Sequence, residues 1–391
     1  MASLPRTIVI GDLHLVRETP ASAVADFLRL LRDHAGARVV VAGDLFDLSA
    51  DHPGKEKGRA LLEALAAQPA IKRALQEHIE RAGRLDLIGG NHDAALGDPN
   101  ELAPLAKALE LSLEDAKRVR STPWFFREGG LHLEHGHLYD PDNALTHPLV
   151  VGVRSLGVHF TEEFIAPTGA FRYLNSNDRP PLELLLSAFK WYGVRGPYVV
   201  FKYFDAAFRA VMKSGPFFEG HGEALTGAAR EADFMHIHGV DEALVKEMLA
   251  LAARPTMQDA AATLSRLYLD RVAATAAILT GSALLAAGRR RAGAWAIGAG
   301  ALAMGISWAA GHDRYGGSVP ERLAESAGKI ASATGAKLVV MGHAHQETDG
   351  PAYANTGSFS FPQRAPGRPF LEIEGPPEAP RAVRRYLTPI N

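Results

Sequence analysis

Thr7-Ile8-Val9-Ile10-Gly11-Asp12-Leu13-His14 opens the pattern on which this 391-residue chain is built. Four apolar or β-branched residues in a row read as a buried strand, so Asp12 and His14 are delivered to its carboxyl end. In open α/β sheets the crevice beyond the strand carboxyl termini is where bound groups collect. A carboxylate and an imidazole two residues apart are oxygen and nitrogen donors of the kind that first-row metals accept.

The arrangement recurs along the chain. Residues 21–34 carry Val24, Phe27, Leu28 and Leu31 at helical spacing, and Gly36 follows as a stop. Residues 38–42 are a second β-branched run, ending in Gly43-Asp44-Leu45-Phe46-Asp47. After a helical region over 56–82, interrupted near Pro69, the run 85–88 leads into Gly89-Gly90-Asn91-His92-Asp93. Runs at 124–127 and 131–133 read as a hairpin across Gly129-Gly130, and the second enters Glu134-His135-Gly136-His137. The pattern lapses after Tyr139 and resumes at 337–341, which runs into Gly342-His343-Ala344-His345. Residues 369–387 alternate as strands that close the sheet, between Pro- and Gly-rich turns. The expected organisation is a core segment over 1–138, a mostly helical insertion over 139–315 and a second core segment over 316–391.

A formal net charge of −2 argues against a dedicated nucleic-acid binder. With no cysteine, neither a disulfide framework nor a thiolate metal site can form, and any metal is held by nitrogen and oxygen. Asp12, His14, Asp44, Asn91, His135, His343 and His345 supply carboxylate, amide oxygen and imidazole, a set suited to Mn, Fe or Zn. These groups exceed what one four-coordinate ion requires, so two divalent ions sharing a carboxylate are expected, Mn first among the candidates. Two ions about 3.5–4 Å apart lower the pKa of a bridging water and clamp the attacking and leaving oxygens of a displacement at phosphorus.

In this order, Asp-x-His, Gly-Asp-x-x-Asp, Gly-Asn-His-Asp, His-Gly-His and Gly-His-x-His resemble the motif series of the calcineurin-like metallophosphoesterases, over residues 7–137 and 337–357. The resemblance implies an α/β fold, a two-sheet β-sandwich flanked by helices, and hydrolysis of a phosphate ester or pyrophosphate bond. It further implies that Asp12, His14 and His345 hold one metal, that Asn91, His135 and His343 hold the other, and that Asp44 bridges them. His92 resembles the family's histidine beside the leaving oxygen, a general acid or transition-state stabiliser, with Asp93 orienting it and Asp47 fixing the orientation of a ligand. Within His-Gly-His, His135 is favoured over His137, since one imidazole of such a run suffices. Asp12-Leu13-His14-Leu15 and Gly43-Asp44-Leu45-Phe46 also resemble the hydrolases that cleave UDP-2,3-diacylglucosamine at a membrane, which carry Arg where this chain has His92.

The insertion admits two readings. Residues 182–213 interleave Lys190, Arg195, Lys202, Arg209 and Lys213 with aromatic residues, and Phe201, Phe204, Phe208 and Met212 share one helical face. Such a segment binds an anionic membrane surface or packs its apolar face into a core. Two nearly charge-free stretches, 272–287 and 292–311, flank Arg289, Arg290 and Arg291, and their lengths bracket a bilayer span. Their Ala and Gly also suit a soluble packed pair, and three arginines on a far side oppose the positive-inside tendency. His236 and His238, alternating on an expected strand, read as surface or packing histidines. The expected partner is a phosphorylated substrate, lipid-linked if the insertion meets a membrane. A soluble phosphodiesterase or phosphoprotein phosphatase with a helical cap is the other enzyme reading, and a non-catalytic membrane scaffold is the reading outside catalysis. Residues 1–6 lack the apolar core of an export signal, so the expected location is cytoplasmic, at the inner face of the membrane on the first reading.

Overall fold

The apolar runs become strands in the computed structural model, which describes residues 5–17, 19–150, 154–175, 181–311, 318–364 and 367–388. In chain order these are β1 (Thr7–Ile10), β2 (Arg38–Ala42), β3 (Arg84–Ile88), β4 (Val119–Thr122), β5 (Phe125–Glu128) and β6 (Leu131–Glu134). After a long helical interval come β7 (Leu338–Met341), β8 (Thr348–Asp349), β9 (Tyr353–Asn355), β10 (Arg368–Glu374) and β11 (Arg381–Leu387). The chain divides into two compact units. One comprises Met1–Phe171, Glu219–Pro255 and Val319–Asn391, the other Arg172–Phe218 and Thr256–Ser318. Residues 139–171 and 219–255, read from the sequence with the insertion, thus lie in the unit that holds the sheets.

One sheet of that unit has the order β11-β10-β1-β2-β3-β4, with β1 to β4 parallel and β10 and β11 antiparallel at one edge. The other has the order β5-β6-β7-β9-β8, with β6, β7 and β9 parallel. Side chains alternate across a strand, so β1 serves two cores. Ile8 and Ile10 pack with Phe27, Leu31, Leu61 and Ile79 from the helices Ala21–Asp33, Lys57–Ala67 and Pro69–Glu80. Val9 packs with Val40 on its own sheet and with Leu133 and Val340 on the other. Burial on both faces is why these strands read as unbroken apolar runs rather than as alternation. Pro69 occupies the first turn of its helix, where its missing N–H leaves no bond unmade. The result is a two-sheet sandwich flanked by helices, as expected.

A buried ionic group braces the parallel sheet. Asp86 on β3 accepts from Arg38 Nε on β2 (2.5 Å) and from Arg120 Nε and Nη2 on β4 (2.8 and 2.6 Å), and Arg38 Nη1 also reaches Glu128 (2.6 Å). Burial alone would raise the Asp86 pKa, but Arg120 and Arg38 hold it below the ordinary carboxylate value.

Register then places the polar clusters. Ile10 lies opposite Val41 and Ala42 opposite Ile88, so the carboxyl ends of β1, β2 and β3 stand side by side. Leu133 opposite Val340 and Met341 opposite Asn355 do the same for β6, β7 and β9.

One sequence expectation changes, and one open reading is narrowed. Met235-His236-Ile237-His238 is not a strand but the last turn of the helix Gly220–His238, which ends at Gly239 in the left-handed region (φ 63°). Helical spacing sets His238 four residues after Phe234, and its ring packs on Phe234 (4.4 Å) and Phe126 (5.8 Å), while burial, aided by Arg120, lowers its pKa to about 4. In the second unit the helix Gly196–Met212 buries Val199, Ala206, Ala207 and Ala210, and leaves Phe201, Phe208 and Met212 exposed. Its packed stripe is therefore the small-residue one, which permits close helix approach, and not the aromatic one. That unit also holds the helices Leu269–Ala286 and Arg290–Ala309, both long and apolar enough by length and composition to cross a membrane.

Candidate metal centre

The turns leaving β1, β2 and β7 share an uncommon backbone. Asp12 (φ 54°), His14 (φ 45°), Asp44 (φ 53°), His343 (φ 66°) and His345 (φ 54°) all lie in the left-handed region, and among the described non-glycine residues only Ala82, Glu110 and Tyr268 join them. Such conformations cost on the order of 1–3 kcal/mol each, least for Asp and His, and persist where the surroundings over-determine them. Here the strain is concentrated where side chains must converge. Glycine permits the closest approaches: a Cβ on Gly43 would collide with the His135 ring, and one on Gly90 with the Asp44 carboxylate.

Asp44 sits between two sets of donors. Its Oδ2 lies 3.6 Å from His14 Nε2 and 3.2 Å from His135 Nε2. On one side, His345 Nε2 is 3.0 Å from His14 Nε2 and 3.3 Å from Asp12 Oδ1. On the other, Asn91 Oδ1 is 3.1 Å from His135 Nε2. Ligand atoms about 2.1 Å from a shared ion stand about 3.0–3.4 Å from one another, so these separations fit donors that converge on ions. Three groups, Asp12–His14–His345, His14–Asp44–His92 and Asp12–Asp44–His135, each bring their ligand atoms within 4.8 Å of one another. Asp12, Asp44 and His135 are at most 1% exposed, a costly burial of charge that a cation would compensate.

Partners behind the donors set their orientation. His135 Nδ1 donates to the Ala42 carbonyl (2.8 Å), which leaves Nε2 as the lone-pair nitrogen. The Asp12 carboxylate accepts from the His343 backbone N–H (3.1 and 3.0 Å), and Ser358 Oγ donates to the Asp12 carbonyl (2.7 Å). Asn355 donates to the Gly342 carbonyl (2.6 Å) and accepts from the Gly357 N–H, so it serves both the turn and the site. Burial opposes ionisation of Asp44, yet His135 and His92 hold it well below the ordinary carboxylate range.

His92 and Asp93 divide their work differently from the expectation that Asp93 orients His92. It is Asp47 Oδ1 that accepts from His92 Nδ1 (3.0 Å), while the His92 backbone N–H donates to Asp44 Oδ1 (3.0 Å). Asp93 points away from the ring because four backbone N–H groups converge on it. Oδ1 accepts from Asp44 (3.1 Å) and Gly90 (3.0 Å), and Oδ2 from Leu45 (2.7 Å) and Phe46 (3.1 Å). Burial works against a charged His92, but Asp47 and Asp44 raise its pKa to about 9. Burial first and the Asp44 charge second push Asp93 up to about 7.

His343 is brought to the same place with its ring 5.1 Å from that of His135, and its Nε2 is engaged by Asp140 Oδ2 (3.1 Å), leaving Nδ1 as the nitrogen for an ion. His137 is buried with its ring 5.3 Å from His135, and neither of its ring nitrogens has a hydrogen-bond partner. Glu134 is buried and accepts from the Tyr139 hydroxyl.

Sequence reading missed Asp140 and Asn143. Asn143 Oδ1 accepts from Asn91 Nδ2 (3.1 Å), and Asn143 Nδ2 donates to Asp140 Oδ2 (2.7 Å), the atom that also meets His343. One short network therefore orients Asn91 and His343 together. The signal was present in Asp140-Pro141-Asp142-Asn143, a polar run just beyond His-Gly-His, but those residues were assigned to the start of the insertion.

Carboxylates, imidazoles and an amide oxygen gathered around one aspartate, at the carboxyl ends of strands from two sheets, make a candidate centre for divalent ions. The model of the calcineurin-like phosphoesterase family matches residues 5–222, more than half of the chain, and the chain belongs to that family. It is a hydrolase acting on phosphoester bonds, of a family that binds two divalent metals. A search of the curated proteins returned no match. His343 and His345 lie beyond the matched residues, and the fold brings them back to the other donors.

Proposed function

We propose that this hydrolase cleaves a phosphate ester or pyrophosphate bond in a lipid-linked substrate at the inner face of a membrane, with two Mn ions as its metals. Asp12, His14 and His345 would hold one ion, Asn91, His135 and His343 the other, and Asp44 would be shared. The observation that carries this reading is the Asp44 carboxylate, 3.6 Å from a donor of one set and 3.2 Å from a donor of the other. When bound, such a pair of ions activates water and neutralises phosphoryl oxygens.

The chain's own groups supply the rest. Asp47 binds Nδ1 of His92, so the proton that His92 can offer a leaving oxygen is the one on Nε2. Asp47, joined by Asp44 in the metal-free protein, raises the pKa of that ring against the effect of burial. Asp93 clamps the backbone from Asp44 to Phe46, which aims the shared carboxylate. The lipid-linked substrate and the membrane location are supported by the exposed aromatic residues and apolar helices of residues 139–315, read as an insertion between core segments 1–138 and 316–391, and by the resemblance to UDP-2,3-diacylglucosamine hydrolases.

The test is hydrolysis of bis-p-nitrophenyl phosphate, p-nitrophenyl phosphate and a lipid-linked pyrophosphate, with added Mn or with chelator, in detergent and without. The expected result is Mn-dependent turnover, strongest on the lipid substrate, that chelator and Asp44→Asn both abolish. Wild-type rate in Asp44→Asn would overturn the shared-carboxylate arrangement. Turnover of the soluble esters alone would replace the lipid reading with that of a capped soluble phosphodiesterase.

A further inference from the structure

The helices Leu269–Ala286 and Arg290–Ala309 form a hairpin whose packing and surface point in one direction. Between Arg271 and the Arg289-Arg290-Arg291 turn, and again from Ala292 to Gly311, no Asp, Glu, Lys or Arg occurs. At 18 and 20 residues the helices are about 27 and 30 Å long, which matches the hydrocarbon thickness of a bilayer.

The two helices meet through small residues. Ala274 and Gly281 on the first, with Gly293, Gly300 and Ser307 on the second, are their only buried residues, and each recurs after two helical turns. A Cβ on Gly293 would lie 2.7 Å from the Gly281 carbonyl, and one on Gly300 would lie 2.7 Å from the Ala274 carbonyl. Backbones this close, through a seam of Gly, Ala and Ser, are how helices associate where water offers no hydrophobic drive.

Ile278 and Ile297 flank the seam half-buried, and most of the remaining surface faces outward. Only 11% and 17% of the two helices' apolar windows are buried, and Leu279, Trp295, Leu302 and Ile306 are each more than 60% exposed. The apolar groups encircle the pair rather than forming one stripe, which fits immersion and not a helix lying along a surface. Both ends carry the residues of a lipid headgroup layer. Arg271 donates to Ser307 Oγ (3.0 Å) and to the Gly311 carbonyl (2.5 Å), and lies over the rings of Tyr268 (4.8 Å) and Trp308 (5.3 Å). The turn at the other end presents three exposed arginines.

We propose that this hairpin is inserted through the hydrocarbon core of an anionic bilayer, with Arg271 in the near headgroup layer and Arg289, Arg290 and Arg291 in the far one. The inference rests on the membrane reading given above and assigns the element that performs the insertion.

The absence of cysteine allows a direct test on the full chain. Single-cysteine variants Leu279→Cys and Leu302→Cys probe the middle of the hairpin, Arg290→Cys its turn, and Leu113→Cys an exposed site in the other unit. Each is mixed with preformed phosphatidylglycerol–phosphatidylethanolamine vesicles, floated, and treated with a membrane-impermeant maleimide before and after the vesicles are opened. The expected result is co-flotation with rapid labelling at Leu113→Cys, labelling at Leu279→Cys and Leu302→Cys at least about tenfold slower, and labelling at Arg290→Cys only after opening. Co-flotation with all four sites labelled alike would leave surface attachment standing and overturn the inserted hairpin. Labelling at Arg290→Cys from outside would also overturn it, in favour of a shallow re-entrant loop. A chain that stays with the aqueous phase would refute the membrane reading as well. Protection of the hairpin sites in lipid-free buffer, in a defined oligomer, would make a second copy the covering partner instead.

Discussion

Replacing Asp93 by Asn tests whether the candidate centre is held in place by its backbone clamp. Each Asp93 oxygen accepts two N–H donors, Asp44 and Gly90 on one, Leu45 and Phe46 on the other, and the residue is wholly buried. An amide keeps one accepting oxygen and turns an NH2 group toward the remaining two donors. Each buried donor left without an acceptor costs about 1–3 kcal/mol, so the substitution should destabilise the unit by about 2–6 kcal/mol. Asp93→Ala, which removes all four acceptor contacts, should cost more. Urea unfolding followed through Trp124, with Trp191, Trp295 and Trp308 replaced by Phe, reports on the unit that contains the clamp. Metal titration in the same samples reports whether Asp44 remains aimed. An Asn variant within about 0.5 kcal/mol of wild type and with unchanged metal affinity would refute the clamp.

Three further outcomes follow from the geometry. Asp140→Ala should weaken metal binding about 10–100-fold by freeing His343 and Asn143, measured by chelator competition, and unchanged affinity would remove Asp140 from the site. On the proposed role His92 acts as its protonated form, so the rate should fall as pH rises through its pKa, which lies below the metal-free value of about 9 once an ion neutralises Asp44. Asp47→Asn should bring that fall about 1–3 pH units lower, because the carboxylate that stabilises the imidazolium is lost, and an unmoved alkaline limb would show that another group titrates there. Asp86→Ala should cost at most about 3–5 kcal/mol, because it removes the buried partner of Arg38 and Arg120 and leaves Arg38 only Glu128, read from urea unfolding at pH 7. In the wild type the Asp86 carboxylate's folded pKa is depressed, so its contribution is present above the unfolded value of 3.8 and is lost as pH falls through the lower folded one.

The family was legible because the chemistry repeats in a local grammar. Four of the five motifs are an apolar run followed by Gly and then by Asp, Asn or His, the fifth enters Glu134-His135 directly, and period and composition suffice to place such a group at a strand exit. The same local reading failed at Met235-His236-Ile237-His238, where four residues suit a strand as well as the last turn of a helix. Only the preceding turns of Gly220–His238 settle the matter. At Phe201, Phe208 and Met212 it left two readings open, since periodicity identifies an apolar face but not whether anything covers it, and here the alanine face is the packed one.

Local order along the chain, then, determines the strands, their polar exits and the donor set, because strand propensity and motif spacing act over a few residues. The tertiary structure alone decides which partner each donor meets. Asp12 and His345 are 333 positions apart in sequence and 3.3 Å apart in space because β1 and β7 belong to two sheets joined face to face by Val9, Val40, Leu133 and Val340. Likewise Asp47 rather than Asp93 takes the His92 ring, because four N–H groups on two turns already claim Asp93. Competition among acceptors for buried donors is a property of the assembled fold, and no window of sequence contains it.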